Sequence, residues 1–193
     1  MKALALEKAK GRLRSAQRAL KLMSDPNEQS IDDHWIDFLG AWKGAYSKVQ
    51  QAAKDTPQEL QWFGSVKTYR RATPVLRYLF EARNDEEHGL VKSASLQQGR
   101  SVFRMTKDGP DAQVILEEGG TPKIVDSNGN VLAELITHQP VISELHPVKD
   151  RGGNIIQPPT AQDGSPLGPV TVAGIGLRYL DALIAEAEAM SKP

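Results

Sequence analysis

The sequence predicts an α+β protein, a mainly α-helical bundle with a small antiparallel β insert ahead of its last helix. Two observations carry that expectation. Apolar residues recur at helical spacing through the first 95 residues and again from Val170. Between these stretches lie short β-branched runs separated by glycine and asparagine turns. The expected organisation is a helical bundle over 1–95, a β-rich insert with a Pro/Gly-rich loop over 96–169, and a helix over 170–193 that completes the bundle.

The first helix is expected from about Lys2 to Met23. Leu6, Leu13 and Leu20 repeat every seven positions, and Ala9, Ala16 and Met23 do the same three residues later. This is a narrow apolar seam suited to packing on another helix. Its other faces carry Lys8, Lys10, Arg12, Arg14, Arg18 and Lys21, opposed only by Glu7. A pattern of this kind is usually a solvated face, although it also suits an anionic partner. A second helix is expected to begin at Ser30 as N-cap, with Asp32 and Asp33 where the helix dipole favours negative charge. Trp35, Phe38, Leu39, Trp42, Tyr46, Val49 and Ala53 then form the aromatic face of the core.

Thr56-Pro57-Gln58-Glu59 combines a threonine cap, a proline at the first helical position and a glutamate at the third. Leu60, Phe63, Val66 and Tyr69 continue that helix. Thr73-Pro74 repeats the signal, so the helix is either kinked or restarted there. Val75, Leu76, Leu79, Phe80 and Ala82 lead on to Arg83 and His88, with Gly89 placed as a C-terminal cap. Strands are expected at 101–105, 113–116, 123–125 and 131–136, with a hairpin turn at Asn128-Gly129 and another at Arg151-Gly152-Gly153-Asn154. The closing helix buries Leu177, Leu180, Leu183, Ile184 and Ala187, and Gly174 and Gly176 weaken its start.

Composition narrows the function classes. Twenty-four basic residues balance twenty-four acidic ones, so no global field draws the chain to nucleic acid or membrane. The absence of cysteine removes disulfides, thiolate metal sites and a cysteine nucleophile. The N-terminal residues lack the apolar run of a signal peptide, and no stretch has the length of a membrane span. A soluble cytoplasmic protein is the expectation.

The best-placed polar cluster is Arg83-Asn84-Asp85-Glu86-Glu87-His88, at the end of the helical half. Histidine exchanges protons near neutral pH, and arginine holds phosphate through its planar fork. Asparagine can orient either. That trio suits RNA backbone cleavage, where a 2′-hydroxyl loses a proton, a 5′-oxygen gains one, and phosphoryl charge needs stabilising. On one continuous helix, five residues rise about 7.5 Å and turn about 140°, so Arg83 and His88 would not stack. Fraying of the helix end, or two sites facing across a dimer, would relax that geometry. The acidic Asp85, Glu86 and Glu87 oppose phosphate binding, and the first helix or Arg70, Arg71 and Arg77 could supply compensating charge.

The cluster resembles the Arg-x4–6-His motif of the HEPN superfamily, whose arginine is often followed by a polar residue such as asparagine. Asn84, the helix-end position, and three expected helices before and one after carry the likeness. The resemblance covers 1–95 and the final helix. It implies a compact helical bundle and a metal-independent endoribonuclease or RNA-binding protein, of the kind found in toxin–antitoxin and phage-defence systems. It implies Arg83 and His88 as catalytic residues, Asn84 as a supporting one, and a composite site in a homodimer. No cofactor or metal is implied.

The competing expectation is a non-catalytic helical interaction module whose β insert binds a protein partner. Asp32-Asp33-His34 with Asp85 and His88 could instead hold metal, but the aspartates are explained as helix-start charges. His138 and His146 read as surface residues. Gly174-Ile175-Gly176 lacks the third glycine of a dinucleotide fingerprint, and neither a phosphate loop nor a Gly-x-Ser-x-Gly elbow occurs.

Overall fold

Five helices account for most of the architecture: α1 (Ala3–Met23), α2 (Ile31–Ala52), α3 (Pro57–Ala72), α4 (Pro74–His88) and α5 (Pro169–Ser191). The structure, a computed structural model, describes residues 1–25, 31–88, 92–97, 101–105, 113–115, 123–128, 130–137 and 141–191. Ser30, Gly89, Leu116, Gly129 and His138, each assigned a role from sequence, lie outside them. The chain divides into two compact units, Gln98–Pro140 and a larger one formed by Met1–Gln97 with Val141–Pro193. The result is a mainly helical α+β fold.

In the larger unit, α1 and α2 lie antiparallel, and the amide of Lys2 donates to the carbonyl of Ala52 at 3.1 Å. Every residue of the expected α1 seam is buried except Leu20, which is partly so. The α2 face is the centre of the core, with Trp35, Phe38, Leu39, Trp42 and Val49 essentially inaccessible. Each such side chain contributes about 1.5–3 kcal/mol on burial. Both buried indoles are satisfied. Trp35 Nε1 donates to Ser93 Oγ at 3.0 Å and Trp42 Nε1 to Gly176 O at 2.8 Å.

Gly176 has a packing role. A Cβ there would stand 2.9 Å from Trp42 Nε1 and collide with Leu79 Cδ1, so its bare backbone lets α5 sit against α2 and α4.

The capping box of α3 is complete: Thr56 Oγ1 accepts from Glu59 N at 3.2 Å, and Glu59 Oε2 accepts from Thr56 N at 3.4 Å. The helix then buries only part of its apolar set. Leu60 is 55% and Tyr69 59% exposed, while Glu59, Phe63, Val66 and Arg70 face inward. Glu59 is drawn in by its cap bonds and by an ion pair with the Met1 ammonium at 2.5 Å. The following inward positions bring Arg70, rather than Tyr69, into the interior. At Thr73-Pro74 the helix restarts: Thr73 is extended and closes α3, and its carbonyl accepts from Arg77 N at 2.9 Å as α4 begins.

Two short sheets belong to this unit. β1 (Ala94–Gln97) pairs antiparallel with β6 (Val141–Leu145), and β7 (Val148–Lys149) forms a hairpin with β8 (Ile155–Ile156). The turn between β7 and β8 is the expected Arg151–Asn154 segment, with Gly153 at φ +80°. Asp150 Oδ1 fastens it by accepting from Gly152 N and Asn154 N, both at 2.9 Å.

The smaller unit is a four-stranded antiparallel sheet of order β2–β5–β4–β3, from β2 (Ser101–Met105), β3 (Gln113–Ile115), β4 (Lys123–Val125) and β5 (Val131–Thr137). Its strands fall where alternation and turn residues place them. Asp126 Oδ1 accepts from Asn128 N and Asn130 N at the β4–β5 turn. Among the described residues no helix is long and apolar enough to cross a membrane.

Candidate functional site

The helix α4 carries Arg83, Asn84 and His88 and runs unbroken to His88, so the chain does not leave the helix between them. The side chain of His88 lies outside the described set. Arg83 and Asn84 face different surroundings on either side of this helix.

The Arg83 side chain crosses α2 at Gly40, where a Cβ would stand 3.6 Å from its Nε. It is partly buried, and its Nη2 pairs with Glu87 Oε1 one turn on at 3.2 Å. A cleft of about 500 Å³ opens here between α1, α2 and α4, lined by Arg12, Arg18, His34, Asp37 and Arg83 among others. Arg12 lies along α2 over Gly44, and Arg18 Nη2 donates to Ser15 Oγ at 3.3 Å. Part of the basic face of α1 thus borders the cleft that Arg83 enters.

Asn84 is 6% exposed, and both ends of its amide are bonded. Its Nδ2 donates to Glu81 Oε2 at 2.6 Å, and its Oδ1 accepts from Lys43 Nζ. Lys43 lies 5.3 Å above the Phe80 ring and 3.9 Å from Glu87 Oε2. Burial holds its ammonium below the usual lysine range, against the opposing pull of Glu87 and with smaller contributions in the same direction from Arg83 and Arg151. Asn84 is therefore a positioning residue within a polar chain that links α2 to α4.

The three acidic residues within the motif have structural partners. Glu86 Oε1 accepts from the backbone N and the Oγ of Ser93, each at 2.6 Å. Asp85 Oδ2 accepts from Lys149 N at 3.2 Å, and Glu87 pairs with Arg83 and Lys43. Their repulsion toward an incoming phosphate is correspondingly reduced, because each charge faces donors already in place. Tyr78 completes the support: its Oη lies 2.7 Å from His146 O and 3.0 Å from Ser93 O, and burial pushes its pKa up.

On the other side of α4, Asn84 borders a second cavity with Arg70, Arg71 and Arg77. Both sources of positive charge considered from sequence thus lie along α4. Sequence reasoning missed Lys43 and Arg151, which reach the same region from α2 and the β7–β8 turn. Their only signal was a cation amid an aromatic helix face and one beside a glycine turn. Two aspartates of the alternative metal reading are engaged elsewhere: Asp85 with Lys149 N, and Asp32, whose Oδ2 pairs with Lys92 at 3.2 Å, which lowers its pKa. Among the described residues no three histidine, aspartate or glutamate side chains converge. No protein-family model, curated protein or solved structure matches the chain.

Proposed function

We propose that the protein is a HEPN-like, metal-independent endoribonuclease or RNA-binding protein acting through Arg83 and His88, with Asn84 in support. The observation that carries this reading is the placement of Arg83 in a cleft shared with Arg12 and Arg18. Such a cleft suits a phosphate backbone, because guanidinium groups bind phosphoryl oxygens in pairs. In the reaction His88 takes the 2′-hydroxyl proton, and the 2′-oxygen bonds to phosphorus as the bond to the 5′-oxygen breaks. The 5′-oxygen leaves with a proton drawn from solvent water, giving a 2′,3′-cyclic phosphate and a 5′-hydroxyl. Arg83 stabilises the charge that develops on the phosphoryl oxygens.

A homodimer, in which Arg83 of one protomer faces the histidine of the other, would relax the separation of the two residues along one helix. The setting such an enzyme would suit is toxin–antitoxin or phage defence, in the cytoplasm.

The test is cleavage of RNA by the purified protein in EDTA. The expected result is cleavage lost by at least a hundredfold in both Arg83→Ala and His88→Ala with the fold retained, in the range that acid–base and charge-stabilising groups contribute. Binding of RNA without cleavage would narrow the function to recognition. Absence of both would leave the helical interaction module, with the β insert as its partner-binding part.

A further inference from the structure

We propose that the cavity between α2, α3, α4 and the β7–β8 turn binds a phosphomonoester of nucleotide size. This site is separate from the Arg83 cleft and does not depend on Arg83 or His88 being catalytic. The cavity measures about 580 Å³ and is bordered by Lys67, Arg70, Arg71, Arg77, Arg151 and Tyr46. Two carboxylates, Glu81 and Asp150, face these five cations. Volumes of this order hold small organic ligands.

The decisive residue is Arg70. It occupies an interior position of α3 and is 6% exposed, although arginine is among the side chains least often buried without a partner. Its guanidinium lies over the Phe80 ring, 3.6 Å from the centroid, which fixes its plane. The nearest carboxylate oxygen, Glu81 Oε1, stands 4.0 Å from Nη1, beyond hydrogen-bond reach. Arg70 Nε and Nη1 make no hydrogen bond, and neither does the buried Tyr46 Oη. Burial raises the Tyr46 pKa, and the Arg70 guanidinium facing its Oη pulls the other way.

Arg70 thus lines the cavity with buried donors that no protein group satisfies at hydrogen-bond geometry. Leaving such groups buried and unpaired is costly, and an anion in the cavity offsets that cost through the charge of the guanidinium. Around them, Lys67, Arg71 and Arg151 have no ion-pair partner among the described residues, whereas Arg77 shares Asp150 at 3.8 Å. The excess of positive charge suits the dianion of a phosphomonoester better than a single carboxylate. A free nucleotide or the phosphorylated end of an RNA would bring the same group.

The experiment is calorimetric titration of the full chain with adenosine 5′-monophosphate, with adenosine, and with a six-nucleotide RNA bearing either a 5′-phosphate or a 5′-hydroxyl. Both phosphorylated probes are expected to bind at least tenfold more tightly than their unphosphorylated counterparts. Tighter binding of the phosphorylated RNA than of the mononucleotide assigns the source to an RNA end, and the reverse to a free nucleotide. The exposed rim pair Arg71→Gln with Arg151→Gln is expected to weaken phosphate-dependent binding by on the order of tenfold per charge removed. Arg70→Lys, which keeps the charge and removes the fork, is expected to weaken it with the circular-dichroism spectrum unchanged.

Equal affinity for adenosine and its monophosphate overturns the proposal, as does tighter binding of an aspartate-rich peptide or indifference to the rim substitutions. Retention of phosphate-dependent binding in His88→Ala separates this result from the fate of the nuclease reading.

Discussion

Replacing Gly176 by alanine tests how closely α5 is bound to the rest of the bundle. The added Cβ would stand 2.9 Å from Trp42 Nε1 and run into Leu79 Cδ1. Neither neighbour can yield freely. Leu79 is fully buried, and Trp42 both stacks on Tyr46 at 6.1 Å and donates its indole proton to Gly176 O at 2.8 Å. Overpacking of this kind costs about 1–3 kcal/mol, and loss of the indole bond adds about 1 kcal/mol. Alanine returns about 1 kcal/mol through its helix propensity. The net expectation is a loss of about 1–3 kcal/mol, or a melting temperature lower by roughly 3–10 °C for a chain of this length.

Tryptophan fluorescence during urea unfolding is the suitable assay, because Trp35, Trp42 and Trp62 all belong to the larger unit. Gly64→Ala serves as control: a Cβ there meets nothing within 4 Å, and the variant should gain about 0.4–1 kcal/mol. A Gly176→Ala midpoint at or above wild type would refute the close approach of α5 to α2 and α4.

Other expectations follow from the polar chain along α4. Asn84→Ala leaves Lys43 and Glu81 without their shared amide and should cost about 1.5–3 kcal/mol in urea unfolding; a neutral result would deny Asn84 its positioning role. Glu87→Gln removes the carboxylate beside Arg83 and should raise RNA affinity several-fold at low salt while barely changing stability, and filter binding that shows unchanged or weaker affinity speaks against the Arg83 cleft as the RNA surface. Asp150 is held below the usual aspartate pKa chiefly by the Asn154 amide, with Asn154 N, Gly152 N and Arg77 adding to the effect. Its contribution to stability is therefore present above the ordinary aspartate pKa and lost as pH falls through the depressed folded value. Carbon-detected titration should find that depressed pKa, and Asp150→Asn should flatten the acid limb of the stability profile.

Much of the helical architecture was legible because it rests on local rules. The α1 seam follows from a seven-residue repeat, and the starts of α3 and α4 from threonine–proline pairs whose capping chemistry lies within a few residues. The strands of the smaller unit were legible because alternation and turn residues are local as well. The β1–β6 pairing was not: Ala94 pairs with Leu145 although the whole of the smaller unit separates them in sequence, and neither short run announces its partner. The inward stripe of α3 was not legible, because hydrophobicity alone does not separate the exposed Leu60 and Tyr69 from the buried Phe63 and Val66. The structure gives interior positions to Glu59 and Arg70, whose roles depend on partners distant in sequence.

At the candidate site, the sequence singled out Arg83, Asn84 and His88 and raised the basic residues of α1, α3 and α4 as sources of positive charge. It did not reveal that Lys43 bonds Asn84, or that Asp85, Glu86 and Glu87 are held by Lys149, Ser93 and the Arg83–Lys43 pair. These relations are contacts between separate elements, which a linear pattern does not carry.

The most direct measurement is the rate of RNA cleavage in EDTA by wild type, Arg83→Ala and His88→Ala, each first shown to unfold at the wild-type urea midpoint. The account predicts cleavage by wild type to a 2′,3′-cyclic phosphate and loss of at least a hundredfold in either variant. Undiminished cleavage by folded His88→Ala, or activity that disappears with EDTA and returns with a divalent metal, would contradict it.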